Sequence, residues 1–314
     1  ASGGTLSNLN ALIAARHNAG LGSDPNSVLL VSEDAHSSFI KCIRIMGLDD
    51  TNLVKIKTDN KGCMDMDNLK NSLDQCSINN KKIFAIVATL GTTVRGAIDP
   101  IKDISDICKE RNIWLHIDGS IGGIFGVTSI PIEGLNNINQ ANSITINPQK
   151  IIGITKTSSL LLVSNMRTLE NTFSTGLPYI SSKENIINRG ELGIQGSRPA
   201  EVIKLWLGLR SLGLKGMEDI LNSSINRKDF FIKNINKNKF EIYSGPLHII
   251  SFLPKGLTTK DTDFWTQTKV NELMKNNFML SRPKFKGKYY LRVVMGNYNT
   301  NESHIEELLK ILHA

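Results

Sequence analysis

Nowhere does this chain hold the roughly 20 consecutive apolar residues that a membrane-spanning helix needs. No basic stretch followed by an apolar core opens it, as a secretory signal would. Cysteine is scarce: Cys42, Cys63, Cys76 and Cys108 are spread along the chain with no CxxC pair. That argues against a zinc site or a disulfide framework and fits a reducing compartment. Aromatic residues make up only 6% of the chain, and no Arg/Lys stripe is interleaved with them as on a nucleic-acid surface. The six histidines show no spacing that would build a metal site. A globular, cytoplasmic protein with no membrane or nucleic-acid partner is therefore expected. An initiating Met is also missing. The chain starts at Ala1 and enters a glycine-rich turn at once, so it reads as a fragment or a processed product.

The net charge of +8 (37 basic minus 29 acidic) comes mostly from Lys scattered among Asn and Ile. A phosphate-bearing cofactor and an acidic substrate would use only a few of these charges. At 314 residues, 40% hydrophobic and 21% charged, the chain has room for one large domain and a smaller one, or for two of ordinary size. Six apolar runs read as strands: Ser27–Val31, Leu53–Ile56, Ile83–Ala88, Ile113–Ile117, Ser143–Ile146 and Ser159–Val163. The cores of IFAIVA and SLLLV suit strands buried on both faces of a mainly parallel sheet. Helical periodicity lies between them at Leu6–Arg16, Ser37–Met46, Met66–Cys76 and Ile101–Arg111, giving a βαβ rhythm with helices on both faces. Arg167–Arg198 breaks the rhythm and reads as irregular, in the manner of a functional lid. A helix at Glu201–Leu212 leads to an α+β segment. Helices are expected there near Met217–Asn234, Asp263–Asn276 and Glu302–Leu312, with strands near Phe240–Tyr243, Leu247–Phe252 and Tyr289–Val294. A division into 1–207 and 208–314 follows.

Six places could carry chemistry, most with a plainer alternative. Ser2-Gly3-Gly4-Thr5 runs into a helix, where free amides and small residues can hold an anion, although such turns are common. Asp118 ends the strand run IWLHI, at the edge where open α/β sheets bind ligands; it could hold a cationic group or only cap the next turn. Thr93 falls at the end of another strand and so at the same edge. His36 is either a polar cap or a flat ring for stacking on a heterocycle. Lys150, in NPQK between two apolar stretches, is a solvated charge or a desolvated nucleophile toward an aldehyde. Arg292, inside YYLRVVM, makes an internal salt bridge or holds a carboxylate.

In order and spacing, the segments SGGTLSNLNALIAAR, SEDAHSS, ATLGTTVRGAIDP, DICKERNIWLHIDGSIGG, ANSITINPQK, KLWLGLRSLG and LRVVMGN resemble the group II amino-acid decarboxylases. These depend on pyridoxal 5′-phosphate. The glutamate, cysteine-sulfinate and aromatic-L-amino-acid decarboxylases are members, and the resemblance is strongest to the first two. It implies an α/β chain of PLP fold type I, with a large domain built on a mainly parallel sheet and a smaller α+β C-terminal domain. It also implies a homodimer with its active site at the interface, acting on an acidic or aromatic L-amino acid. Residue by residue, it implies that Gly4, Thr5, Ser120 and Asn147 line the cofactor site, the turn at Gly4 and Thr5 holding the phosphate. His36 would stack on the pyridine ring, Thr93 would lie near Asp118, and Asp118 would partner the ring nitrogen. Lys150 would be the Schiff-base lysine, and Arg292 would hold a substrate carboxylate.

Three departures qualify the resemblance. Gln149 stands where the family usually has His, and an amide cannot carry a proton. The loop before Gln195 is shorter than in the decarboxylases, and Tyr179 matches a position other than their loop tyrosine. The family's N-terminal segment has no counterpart. Transamination, oxidative deamination, or a non-catalytic role as a dimer partner are therefore the competing expectations.

Overall fold

The computed structural model describes residues 1–156, 158–176 and 188–313. Its centre is a six-stranded sheet in the order β2-β1-β3-β4-β5-β6. The strands are β1 (Ser27–Ser32), β2 (Leu53–Ile56), β3 (Lys82–Thr89), β4 (Trp114–Gly119), β5 (Ser143–Ile146) and β6 (Leu160–Val163). The first five run parallel, and β6 closes the edge antiparallel to β5. The apolar runs of β1 and β3 feed two cores because successive side chains point to opposite faces. Val28, Leu30, Ile86 and Ala88 pack on one face, and Leu29, Val31, Ala85 and Val87 on the other. Helices α1 (Gly4–Asn18) and α2 (Ser38–Ile45) cover the second face; α3 (Met66–Ile78) and α4 (Ile101–Glu110) cover the first. This is the expected mainly parallel α/β sheet with helices on both faces.

Some elements differ from their sequence reading. The strand SLLLV is half-buried, with Leu162 47% exposed, because β6 has a neighbour on one side only. Within the stretch read as irregular, Met166–Phe173 forms α5: the Asn165 side chain accepts from Arg167 N, and Leu169 supplies its buried anchor. Leu177–Ile187, with Pro178 and Tyr179, lies outside the described residues.

The two helices expected at Glu201–Leu212 and Met217–Asn234 merge into α6 (Glu201–Asn234), bent at Gly213 (φ 62°, ψ 177°), a conformation that glycine tolerates best. The 207/208 division falls inside this helix. Leu205, Met217 and Leu221 pack into the large sheet's core, and Phe231 joins a separate core beneath a three-stranded antiparallel sheet. That sheet has the order β11-β8-β7, from β7 (Phe240–Ser244), β8 (Ile249–Pro254) and β11 (Leu291–Val294). Helix α7 (Thr259–Lys275) begins earlier than the periodicity suggested, because Thr258 and Asp261 form a capping box. The expected strand Tyr289–Val294 breaks at Tyr290. Its first part belongs to a small hairpin, β9 (Lys284–Phe285) with β10 (Lys288–Tyr289). Helix α8 (Glu302–His313) ends the described chain.

The turn after β3 ties the two sheets together. Thr93 O accepts Arg292 Nη1 at 2.6 Å, Val94 O accepts the Ser251 hydroxyl, and Arg95 O accepts Gly245 N at 2.5 Å. The Arg95 guanidinium pairs with Asp34 at 3.0 Å, both side chains 3% exposed, and lies 4.5 Å from the Phe285 ring centroid.

Candidate active site

Parallel strands point their C-terminal ends to one edge, and ligands of open α/β sheets sit there. At that edge a cavity of about 240 Å³ is lined by Gly4, Thr5, Asn8, His36, Ser38, Thr89, Gly91, Thr93, Asp118, Ser120, Ile121, Asn147, Gln149 and Lys150. Eight of the nine site residues expected from sequence therefore meet in one place. The ninth, Arg292, does not line the cavity. Its Nη1 is bonded to Thr93 O and its Nε to the Ser281 hydroxyl at 2.8 Å.

One end of the cavity is built for an anion. Leu6 N is bonded back to Gly3 O at 3.0 Å, and the Gly4 and Thr5 amides precede it in the first turn of α1, where amides have no intrahelical acceptor. No acidic side chain occupies that turn. A Cβ on Gly4 would stand 2.4 Å from Asn147 Nδ2 and 2.9 Å from Ser120 Oγ, so the space over Gly4 is a cradle walled by two donors. The amide of Asn147 is oriented from behind. The Ser159 hydroxyl donates to its Oδ1 at 2.5 Å and is itself bonded to Ser7 Oγ at 2.8 Å, leaving Nδ2 turned to the cradle.

At the other end Asp118, 4% exposed, has each oxygen held: Oδ1 accepts Ser120 N at 3.1 Å and Oδ2 accepts Asn8 Nδ2 at 3.2 Å. His36, exposed at the rim, accepts Ser38 N at its Nδ1 (3.1 Å), which leaves Nε2 to carry the hydrogen. Burial lowers its pKa, against an upward pull from Asp118, and so favours the neutral ring. Desolvation also lowers the Lys150 pKa, with Asp118 opposing and Arg292 assisting. Water in the open cavity moderates that shift, because the Lys150 side chain remains exposed there. Among the described residues, two buried polar atoms of the lining, Thr89 Oγ1 and Gln149 Oε1, have no partner in the protein. A polar ligand would satisfy them, since buried polar groups are rarely left unbonded. An anion cradle, a nucleophilic amine, a buried carboxylate and a flat ring at the rim fit a phosphorylated heterocyclic aldehyde.

Sequence reasoning missed Ser7, Asn8, His116, Ser143 and Ser159, all buried and all hydrogen-bonded around this site. One signal was available: an imidazole inside IWLHI, a strand with both faces covered, must have a partner.

Residues 1–252 match the family described as the pyridoxal-dependent decarboxylase conserved domain. An aromatic-L-amino-acid decarboxylase of Bacillus atrophaeus is 30% identical over 99% of this chain and 66% of its own length. An acidic amino acid decarboxylase of Xenopus tropicalis is 31% identical over 78% of this chain and 50% of its own. This chain thus spans one half to about two thirds of the length of these curated relatives. Among solved structures, Oryza sativa TDC with PLP and tryptamine superposes with a TM-score of 0.92 at 19% identity, covering 100% of this chain and 68% of that one. Mouse CSAD in apo form gives 0.89 at 23% identity, covering 99% and 70%. These last two likenesses show the fold, which is that of the fold type I decarboxylases. With its cavity, its fold and the greater part of its length in agreement, this chain belongs to the pyridoxal-dependent decarboxylase family, whose cofactor is pyridoxal 5′-phosphate.

Proposed function

We propose that the chain binds pyridoxal phosphate in this cavity and decarboxylates an L-amino acid to its amine. One observation carries the proposal: Lys150, Asp118 and the anion cradle line the same cavity. The bound cofactor supplies an aldehyde for the substrate amine and a conjugated ring that takes up the electrons left when carbon dioxide departs. Gly4 and Thr5, through their amides, and Ser120 and Asn147, through their side chains, bind its phosphate. Asp118 holds the proton on the ring nitrogen. The imidazole of His36 stacks against the ring, and Thr93 closes that side. Lys150 Nζ, its pKa lowered by desolvation, is the nucleophile that attaches the cofactor.

Arg292 is our candidate for the substrate carboxylate. Its position next to Thr93 O, near enough to Lys150 to depress the lysine pKa, supports this. The similarity to both an aromatic and an acidic amino-acid decarboxylase supports an acidic or aromatic substrate. A homodimer with shared active sites and a cytoplasmic setting belong to the same reading; no described helix is long and apolar enough to cross a membrane.

The test is direct. Purified protein should be yellow, or become so with pyridoxal phosphate, and Lys150→Ala should abolish attachment that borohydride can fix. Carbon dioxide and amine should then appear from at least one acidic or aromatic amino acid. A colourless protein that gains no absorbance with added cofactor would overturn the cofactor assignment. Carbonyl product and ammonia without carbon dioxide would overturn decarboxylation in favour of oxidative deamination.

A further inference from the structure

Behind Asp118 runs a line of buried side chains whose hydrogen bonds can point only one way. Trp114 Nε1 is solely a donor, and it bonds Ser143 Oγ at 2.8 Å. The Ser143 hydroxyl hydrogen is therefore free to go to His116 Nδ1, also 2.8 Å away. With Nδ1 accepting, Nε2 carries the ring hydrogen and donates to Asn8 Oδ1 at 3.1 Å. That fixes the Asn8 amide, and its Nδ2 donates to Asp118 Oδ2 at 3.2 Å. Reversing the line would turn the Asn8 amide oxygen toward the Asp118 carboxylate, setting two acceptors face to face.

All five residues are buried, from 0% exposed at His116 to 8% at Trp114. Burial pushes the His116 pKa down to about 4, in keeping with a neutral ring. Four polar groups buried between α1 and the sheet do not strengthen the core over apolar packing. Their common property is that the line ends on Asp118.

We propose that Asn8 and His116 are positioning residues: through a one-way hydrogen-bond relay anchored at Trp114 and Ser143, they aim the Asp118 carboxylate at the cofactor's ring nitrogen. This rests on the cofactor assignment above. On the same helix, Ser7 supports the relay to Asn147 at the phosphate end. Two adjacent residues of α1 thus orient opposite ends of the cavity.

The experiment separates a ring-nitrogen effect from a general loss of structure. Calorimetry on the full chain measures binding of pyridoxamine 5′-phosphate, which has the ring nitrogen, and benzyl phosphate, which keeps the phosphate arm without it. Asn8→Leu and His116→Leu should weaken the first about 10- to 100-fold, the size of one hydrogen bond to a charged group, and the second less than about twofold. His116→Gln, which keeps a donor near the Nε2 position, should restore most of the loss. If Asn8→Leu loses its melting transition, Asn8→Ser carries the comparison, since serine stays polar but cannot span from His116 to Asp118. Equal weakening of both ligands, or no weakening of either in folded variants, would refute the relay while leaving the cofactor site intact. A wild-type chain that binds neither ligand would refute the cofactor assignment, and the relay with it.

Discussion

Gly4→Ala tests the phosphate cradle with a single methyl group. The added Cβ would lie 2.4 Å from Asn147 Nδ2, 2.9 Å from Ser120 Oγ and 3.3 Å from Asn147 Cγ, against about 3.5–4.0 Å for comfortable contact. Asn147 cannot swing aside freely, because Ser159 grips its Oδ1 at 2.5 Å and Ser7 backs Ser159. Relief therefore displaces at least one of the two donors and narrows the space between them. A hydrogen bond to a charged group contributes about 1.5–3 kcal/mol, so losing one, with some loss at the second, should cost about 3 kcal/mol, or roughly 100-fold in affinity. The ligand-free fold should suffer much less. Alanine favours the helix over glycine by about 0.5–1 kcal/mol, which offsets part of the crowding. Calorimetry with pyridoxamine 5′-phosphate, which cannot bond covalently to Lys150, reads the non-covalent site, and thermal melting of the ligand-free protein reads the fold. Wild-type affinity in Gly4→Ala would show that the phosphate does not sit over Gly4. A collapsed melting temperature would show that Gly4 is needed for the fold itself.

Two further predictions concern the charges buried beside this edge. Arg95→Leu leaves Asp34 without its counter-ion in a site 3% exposed, and should lower unfolding free energy by about 3–5 kcal/mol in urea titrations. The loss should shrink at low pH, where a protonated Asp34 needs no counter-ion; a change below about 1 kcal/mol at neutral pH would contradict the reasoning. The Asp99 carboxyl is pushed up to about 7 by burial, against Met64 N and Thr89 N, which each donate to it at 2.7 Å. Its folded pKa lies above its unfolded value of about 3.9, so its stabilising contribution is complete below that value and is lost as pH rises toward 7. His116 and His248, both pushed down to about 4 by burial, run the other way, costing stability as pH falls from about 6.5 toward 4. Asp99→Asn should remove only the first trend, so the wild-type advantage over this variant should shrink between about pH 4 and about pH 7. An advantage independent of pH would refute the assignment.

Much of the fold was legible because buried parallel strands are written as short apolar runs, and each of the six expected strands of the large sheet lies within two residues of its place. The edge position of β6 was not, since a run of leucines reads the same whether one neighbour or two will pair with it. The fusion of two helices into α6 depends on the backbone at Gly213, which periodicity does not encode. At the site, the residues that line the cavity were legible as a spaced set of motifs. The residues behind them were not. Ser7 and Asn8 look like ordinary polar positions of an amphipathic helix, and they become partners of Asn147 and Asp118 only when α1 lies across the ends of β4 and β5.

The turn at Thr93–Arg95 gives the smaller sheet a hold on the cavity. Three successive carbonyl oxygens are gripped in turn by β11, by β8 and by the residue that follows β7. The same segment places Thr93 in the cavity lining and anchors Arg95 beneath Phe285. It works as a three-point hitch between the two sheets, beside the apolar contacts that Leu247 and Ile249 make with the larger sheet's core. A chain ended after α6 would keep all of the cavity's described lining residues, yet lose the fixture that holds one wall in place. The binding edge of the large sheet is therefore mechanically the joint property of both sheets, although the smaller one contributes no side chain to its lining.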